Sequence, residues 1–557
     1  MNKKTHFYIA LGACFIIILA FACKTLIEPD IWWQITTGEW ILKNHQVPKT
    51  DMLSFTFAGE PWVNIKWLAE VIMYLIASYT SPEMIYFFLG LLYIPLIFFC
   101  YKNYTLLFKS DINKYSFSFI FSCLICIITI SHRINGRPEV FSYFFASLFL
   151  FIFIHASKNK YYLIGLIPLQ IIWCNTHEAY GVGLVMIIIY IISELLWGQS
   201  SSKIFILSIA LLSIGGIALN PIGTKIFSYT INIFTQLDKN KFTSELLDYT
   251  SSEYWDLFST LNIITFIISS ILCLQLAKQS KWNLKIIQEK LPIYYILLLV
   301  AFFYLSLKSN RNIPLFQLIS LPIYAYALSK LKNNLFHESK MSVAITLSIA
   351  YLSIITGVFY STFDKHNEFG LGVSPKYNPI GATNFLAKQT NNSKVFSDFL
   401  CSNYPLYHLR PSYKSYIDLR DLDVFPAKFF ENCLYLYQAP NTMISSTQTI
   451  WQLADSIDRF QYVLLVNQPD FTPLHQELHR GNLFHAVYAD ANTSLYKRND
   501  STMIHTPIDS FYHDYSFYKK YNLSIWINHI LNPFHKNIDE RDYNFEEQKE
   551  IYQENYM

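Results

Sequence analysis

Charged residues are scarce in this chain, and neither sign dominates. Only 15% of its 557 residues are Asp, Glu, Lys or Arg, and the formal net charge is +3. So small an excess gives no argument for a nucleic-acid partner or a strongly acidic one. Hydrophobic residues make up 52% of the chain and aromatic residues 17%. This composition is typical of a membrane protein.

The common motifs of nucleotide and metal chemistry are also missing. The sequence contains no Walker loop, no GxSxG elbow and no dinucleotide fingerprint. An HExxH zinc motif would need a histidine four residues after His177, where Gly181 stands instead. Any phosphate-bond energy used by this chain therefore has to arrive in a substrate that is already activated outside the cytoplasm.

Long apolar runs are abundant. About 20 apolar residues cross a bilayer as a helix, and the sequence predicts eleven such spans, near residues 6–27, 83–101, 115–131, 138–156, 161–175, 178–197, 203–219, 259–276, 291–307, 312–329 and 341–360. The first run could also be read as a cleaved signal peptide, but its length and its poor cleavage site favour an uncleaved helix. We therefore predict a polytopic α-helical membrane protein.

The distribution of lysine predicts the topology. If Lys3 and Lys4 are cytoplasmic, an odd number of crossings places the carboxy-terminal portion outside. Every loop then predicted to be inside carries lysine, as the positive-inside bias requires. The expected domains are a transmembrane domain 1–360 with a large first outer loop 28–82, an extracytoplasmic domain 361–500 and a polar tail 501–557.

Polar residues near membrane depth gather on the predicted outer side. Beyond the first outer loop they are Arg133, Arg137, Glu139, His177, Glu178, Lys225 and Arg311. Ionisable groups at this depth usually line a functional site, although each arginine could instead be an interfacial anchor with a long apolar stem. Three arginines on the side that the positive-inside bias depletes favour an anionic ligand such as a phosphate.

The first outer loop opens with "EPDIWWQITTGEWI", residues 28–41. A carboxylate here, Asp30 first and Asp51 second, could act as a general base or hold a divalent cation against a phosphate. The alternative for Asp30 is a helix N-cap. Trp33 and its neighbouring tryptophans suit an aromatic belt at the headgroup level, and one or two of them could stack on a sugar ring.

From residue 361 the apolar runs become too short to cross a membrane. Alternating strand-like and helix-like segments predict an α/β domain, with strands at "KVFSDF", "SYIDL", "QYVLLV", "HAVYAD" and "TSLYKR". Cys401 and Cys433 fall in this exported part, where a disulfide between them or two free thiols are both open. No function is legible in the tail, which we expect to form surface helices or to be partly disordered.

Several motifs resemble those of bacterial polytopic proteins in the GT-C glycosyltransferase superfamily. The likeness lies in the first outer loop and, in order, in "RPEVFSYFF", "WCNTHEAYGVG", "LNPIGTKIF", "RNIPLF", "KVFSDFLCSNYPLYHL" and "YIDLRDLDVFP". It implies a bacterial inner-membrane enzyme that uses a lipid-linked sugar donor at the outer face, with Asp30 as the leading catalytic acid or base. Two departures stand out: Lys66 replaces a usual glutamate, and Gln34 replaces a usual histidine.

The main hypothesis is therefore an outer-face glycosyltransferase with a polyprenyl-phosphate-sugar donor and a glycan, lipid or protein acceptor. No cofactor is expected with certainty, and a divalent cation stays open. A catalytically inactive scaffold or lipid-carrier-binding protein is the alternative, which the departure at Lys66 favours. A transporter is the weakest reading, because ionisable residues near the bilayer midplane are few and Glu194, the clearest, lies near a cytoplasmic helix end.

Overall fold

The computed structural model describes residues 3–108, 117–198, 203–229, 248–331, 340–389, 393–420, 423–490 and 492–499. The predicted tail 501–557 lies outside these residues. Contacts divide the chain into two compact units. Unit 1 comprises Met1–Lys24 and Ile85–Phe369, and unit 2 comprises Thr25–Met84 and Gly370–Met557. By its contacts, the first outer loop thus groups with the carboxy-terminal part of the chain.

Helices dominate the described residues. In chain order they are α1 (Lys3–Ala22), α2 (Asp30–Asn44), α3 (Trp67–Tyr79), α4 (Ile85–Gly90), α5 (Tyr93–Leu107), α6 (Phe117–Ile130), α7 (Glu139–Ala156), α8 (Leu166–Thr176), α9 (Tyr180–Leu196), α10 (Lys203–Gly216), α11 (Leu257–Gln279), α12 (Leu284–Lys290), α13 (Ile293–Lys308), α14 (Ile313–Leu331), α15 (Lys340–Ile355), α16 (Val358–Phe363), α17 (Ile380–Ala387), α18 (Asn403–His408), α19 (Ala427–Gln438), α20 (Ile450–Asp458) and α21 (Thr472–Arg480).

Unit 1 is helical in its described residues, and each of the eleven predicted spans overlaps at least one of its helices. Four helical segments of the described chain are long and apolar enough to cross a membrane by length and composition: Lys3–Ala22, Pro82–Leu107, Glu139–Ala156 and Leu257–Gln279. A fifth is added if α12 and α13, bent by 82° at their junction, count as one span. Further apolar helices are shorter, so the number of crossings and their orientation stay predictions.

Unit 2 contains a sheet of four described strands: β1 (Val395–Ser397), β2 (Tyr462–Val466), β3 (Phe484–Ala489) and β4 (Thr493–Arg498). Their order is β1-β2-β4-β3, with β1 parallel to β2 and the other neighbours antiparallel. The α/β prediction is confirmed for these strands and for α19, α20 and α21, which are helices that lie between them in the sequence. The predicted strand "SYIDL" is not part of the sheet. Cys401 and Cys433 are both buried free thiols, so the disulfide alternative does not occur in this structure.

The two parts of unit 2 are joined by backbone hydrogen bonds. Leu26 N donates to Gly372 O at 2.7 Å. Ser415 N donates to Leu53 O at 3.0 Å, and Phe55 N returns a bond of 3.0 Å to Ser415 O. Because Ser415 pairs with the first outer loop, the "SYIDL" segment is committed to that loop rather than to the sheet. The loop and the segment after it are therefore held as one body.

α2 and α3 pack closely at a glycine. A Cβ atom at Gly38 would overlap the backbone carbonyl of Glu70 and the side chain of Tyr74. Only a residue without a side chain permits this approach. The crossing fixes the first turn of α3 against α2, and it is this turn that carries several of the polar groups described below.

Candidate functional site

Glu139 and Arg133 form a buried ion pair in unit 1. Glu139 is the first residue of α7, directly after Pro138, and Arg133 ends a short 3-10 turn that follows α6. Arg133 donates from Nε to Glu139 Oε1 at 2.7 Å and from Nη2 to Oε2 at 2.6 Å. This bidentate (two-pronged) geometry gives the strongest type of arginine–carboxylate ion pair. It fixes the guanidinium at the start of α7.

Two further predicted arginines surround the same carboxylate. Arg311 Nε lies 3.7 Å from Glu139 Oε2, and its side chain is 31% exposed. Arg137 is half-buried and interacts electrostatically with Glu139. We call Arg133, Arg137, Arg311 and Glu139 the arginine cluster. Three guanidiniums thus gather around one carboxylate, and a planar guanidinium suits the oxygens of a phosphate.

His177 belongs to a hydrogen-bonded chain that reaches the same turn of α7. Trp173 Nε1 donates to Ser142 Oγ at 2.8 Å, and Ser142 Oγ lies 2.7 Å from His177 Nδ1. An indole N–H can only donate, so the Ser142 hydroxyl accepts from Trp173. The direction of the hydrogen bond between Ser142 and His177 Nδ1 depends on the imidazole tautomer. Ser142 is three residues after Glu139, on the same face of α7. One helix turn thus organises His177 and the arginine cluster.

The other two predicted substrate-binding residues of unit 1 are placed differently. Glu178 follows His177 and is half-buried in the turn before α9. Lys225 is exposed in the segment that follows α10. Their roles in substrate binding stay predictions.

In unit 2, Asp30 is the first residue of α2, and Pro29 occupies the N-cap position without a side-chain cap bond. The carboxylate instead accepts a 3.0 Å hydrogen bond from Trp33 Nε1. Lys66 Nζ lies 5.3 Å from the centroid of the Trp33 ring, close enough for a cation–π contact. The same Nζ lies 3.8 Å from Asp423 Oδ2. We call Asp30, Trp33, Lys66 and Asp423 the Trp33 group.

Asp51, the second predicted catalytic acid, lies in a different setting. Arg420 Nη1 donates to Asp51 Oδ1 at 2.6 Å, and Arg420 forms a two-pronged pair with Asp418 at 2.8 and 2.7 Å. Leu53 N at 2.9 Å and the Ser54 hydroxyl also bind the Asp51 carboxylate. All three charged side chains of this Asp51 triad are fully buried. These contacts tie the first outer loop to the segment that ends at Arg420.

Glu70, in the first turn of α3, is buried with only one hydrogen-bonded oxygen. Asn64 Nδ2 donates to Glu70 Oε2 at 2.6 Å. Among the described residues, Glu70 Oε1 and Asn64 Oδ1 have no hydrogen-bond partner. Burial raises the pKa of Glu70 to about 8, and the Asn64 hydrogen bond and nearby Lys66 oppose this only in part.

The sequence singles out the four residues of the arginine cluster. It does not identify Lys66 and Arg420 as the residues that contact the acids of unit 2. In the sequence, Lys66 is marked only by its departure from the motif that the loop resembles, and Arg420 stands within "YIDLRDLDVFP" without a visible partner. A signal for Arg420 was available, because three acids close to one arginine in "YIDLRDLD" is unusual in so apolar a chain.

A divalent cation finds no ready site in this structure. Within the described ranges, no group of three or more His, Cys, Asp or Glu side chains lies close enough to hold a metal ion. The acids that could have served are engaged: Asp51 binds Arg420, and Asp30 accepts from Trp33. Among the described residues, neither acid therefore belongs to a group that could hold a cation tightly.

No protein-family model matches the chain, and no curated protein matches it. Solved structures do. The chain is similar to the archaeal oligosaccharyltransferase AglB from Archaeoglobus fulgidus in complex with an inhibitory peptide and a dolichol-phosphate, with a TM-score of 0.58 and 10% identity over 90% of this chain and 75% of that one. The A. fulgidus oligosaccharyltransferase tethered to an acceptor peptide gives a TM-score of 0.54 and 11% identity over 90% and 74%.

ArnT from Cupriavidus metallidurans bound to undecaprenyl phosphate gives a TM-score of 0.49 and 10% identity over 90% of this chain and 99% of that one. At 10% and 11% identity, the likeness to the two oligosaccharyltransferase structures is one of fold.

Proposed function

We propose that this chain, which has the fold of the GT-C glycosyltransferases, is a membrane glycosyltransferase. It moves a sugar from a polyprenyl-phosphate-linked donor to a glycan, lipid or protein acceptor. The observation that carries the proposal is the arginine cluster, where three guanidiniums share one carboxylate. AglB is seen with a dolichol-phosphate, which supports a polyprenyl phosphate as the ligand class here.

The arginine cluster binds the donor phosphate. Arg133 is held by its two-pronged pair with Glu139, so it presents a fixed guanidinium edge. Arg311 and Arg137 are more exposed and turn toward the phosphate oxygens, which suit a planar fork. His177, held by Ser142, together with Glu178 and Lys225, contacts the donor sugar or its phosphate. Preorganised positive charge of this kind also stabilises the phosphate as it leaves.

Asp30 serves the acceptor. Its carboxylate takes the proton from the acceptor hydroxyl while that oxygen forms a bond to the anomeric carbon of the donor sugar. The bond from this carbon to the phosphate oxygen breaks, the polyprenyl phosphate leaves with the electron pair, and the configuration inverts. Trp33 orients the carboxylate through its indole N–H. Asp51 is a positioning residue, because its oxygens are committed to Arg420 and to its own loop.

The protein lies in a bacterial inner membrane with its amino terminus cytoplasmic and its carboxy-terminal domain outside, as the lysine distribution predicts. On that side, lipid-linked sugars are the activated donors that require no nucleotide, which agrees with the absence of nucleotide-binding motifs from the sequence.

The test uses membranes that contain the full chain and a labelled polyprenyl-phosphate sugar. We expect Asp30→Asn to lower the transfer rate at least about 100-fold, because the amide cannot accept the acceptor proton. The matched control is Glu60→Gln, which removes an exposed acid from the same loop and is expected to leave the rate unchanged. Full transfer activity in Asp30→Asn would contradict the assignment of Asp30.

A second candidate function is a scaffold that binds the lipid carrier without chemistry. The observation in its favour is Lys66, a lysine at the position of the family glutamate, which approaches Asp423. This reading expects the wild-type protein to bind polyprenyl phosphate through the arginine cluster and to transfer no sugar to any acceptor. Saturable binding without transfer in a full acceptor screen would favour it over the enzyme.

A further inference from the structure

Two buried oxygens in unit 2 lack partners, and they belong to side chains that already touch. Asn64 Nδ2 donates to Glu70 Oε2 at 2.6 Å, while Asn64 Oδ1 and Glu70 Oε1 have no hydrogen-bond partner among the described residues. Glu70 is 0% exposed and Asn64 3%. An unsatisfied buried oxygen costs about 1–3 kcal/mol, so two side by side call for an explanation.

We propose that Glu70 is a protonated, neutral carboxylic acid in the working protein, that it pairs with Asn64 through two hydrogen bonds, and that it serves as a positioning residue for Lys66. A single proton on Oε1 accounts for both orphaned oxygens, because the acid O–H then donates to Asn64 Oδ1 while Asn64 Nδ2 donates to Oε2. The pairing itself is independent of the proposed transferase activity. Only its consequence for sugar transfer rests on that proposal.

The charged groups around Glu70 agree with a neutral acid. Lys66, whose carbonyl accepts from Glu70 N at 3.1 Å, starts the same turn. From the carboxy-terminal segment, Asp423 disfavours a second negative charge and Arg420 favours it. The facing turn of α2 meets Glu70 through Gly38. The acids of α2 are engaged elsewhere, Asp30 with Trp33 and Glu39 with Lys43 and Arg410. Burial also favours the neutral acid, because it raises the pKa of Glu70 to about 8.

Neutrality of Glu70 decides where the Lys66 ammonium goes. While Glu70 is neutral, Lys66 stays near Asp423 and over Trp33, whose indole N–H binds the Asp30 carboxylate. When Glu70 loses its proton to solvent at alkaline pH, the new carboxylate inside the protein attracts the ammonium away from that position. The same ionisation removes the O–H donor to Asn64 Oδ1, while the bond from Asn64 Nδ2 to Oε2 remains. The positive charge of the Trp33 group is thus controlled by one buried proton.

The test compares Glu70→Gln, which mimics the protonated acid and can keep both hydrogen bonds to Asn64, with Glu60→Gln in purified full-length protein. In the wild type, an acid whose pKa is raised from about 4.3 unfolded to about 8 folded makes stability fall as pH rises between those values and level off above them. Glu70→Gln should lack this loss. We expect its melting temperature to exceed the wild-type value by about 2–5 °C at pH 8, with the difference closing toward pH 4.5.

Equal pH profiles of melting temperature for Glu70→Gln, Glu60→Gln and wild type would overturn the proposal. Should Glu70→Gln fail to fold, the infrared C=O stretch of a protonated carboxylic acid decides in the wild type. A band that is present at pH 7 and titrates away near pH 8 supports the pairing, and its absence at pH 7 overturns it. These readouts need no transferase activity, so they separate this inference from the proposed function.

The functional arm is the pH profile of sugar transfer. We expect the wild-type rate to decline above about pH 8 and this decline to move to higher pH in Glu70→Gln. A purely structural Glu70 would leave the position of the decline unchanged, and that result would overturn its role toward Lys66.

Discussion

Each unit contains a cluster of arginines and carboxylates. The cluster in unit 1 has more arginines than carboxylates, and the cluster in unit 2 has more carboxylates than arginines. The arginine cluster of unit 1 has three guanidiniums around Glu139, and Arg311 is 31% exposed. The Asp51 triad of unit 2 has one guanidinium between two carboxylates, and all three side chains are 0% exposed. In the first cluster the arginines are in excess and partly open. In the second cluster, the charged side chains are buried and paired with one another.

This difference separates binding from structure. Buried charges need partners, and a cluster whose partners all come from the protein has nothing left for a ligand. The triad satisfies that description, because Arg420 directs its donors at Asp51 and Asp418 and each carboxylate accepts further bonds from its own loop. In the arginine cluster, by contrast, Arg311 and Arg137 are partly exposed, so a ligand can reach their guanidiniums. We predict that an anion binds there.

The largest effect we expect is loss of stability on breaking the triad. Arg420→Gln leaves two carboxylates buried without their cation, which costs about 3–5 kcal/mol. We predict a steep fall in yield and melting temperature of the purified protein. The control is Arg480→Gln, which removes an exposed arginine of unit 2 and should change neither. If Arg420→Gln melted like the control, the closed cluster would not be what joins the first outer loop to the carboxy-terminal segment.

The arginine cluster should respond in binding rather than in stability. Arg133→Gln removes one two-pronged donor but leaves Arg311 and Arg137 with Glu139, so the fold is retained. We predict that the Kd for polyprenyl phosphate rises about 100-fold, the size of a lost charge-assisted contact. Arg133→Lys keeps the positive charge but loses the planar guanidinium, so its Kd should lie between those of Arg133→Gln and wild type. Unchanged binding in both variants would place the phosphate elsewhere.

The two clusters also differ in how well the sequence predicts their contacts. Arg133 and Glu139 are six residues apart across a proline, and both stand out in an apolar setting, so their association was predictable. Asp51 and Arg420 are 369 residues apart, and no local pattern announces that they meet. The predicted strand "SYIDL" failed for the same reason: its periodicity suits a strand, but Ser415 pairs with the first outer loop. Long-range pairing overrode local preference.

The smallest effect sharpens the contrast between the two predicted catalytic acids. In Asp51→Asn the amide oxygen still accepts from Leu53 N, and Arg420 keeps its two-pronged pair with Asp418. We therefore expect a loss of only about 1–2 kcal/mol in stability and a specific transfer rate, per folded protein, near that of wild type. Asp30→Asn should show the reverse: wild-type melting and a collapsed rate.

Measuring melting temperature and transfer rate on the same preparations assigns each acid to its role. A collapsed specific rate in well-folded Asp51→Asn would move Asp51 from positioning to chemistry, because the carboxylate bound by Arg420 would then be needed for more than holding its loop.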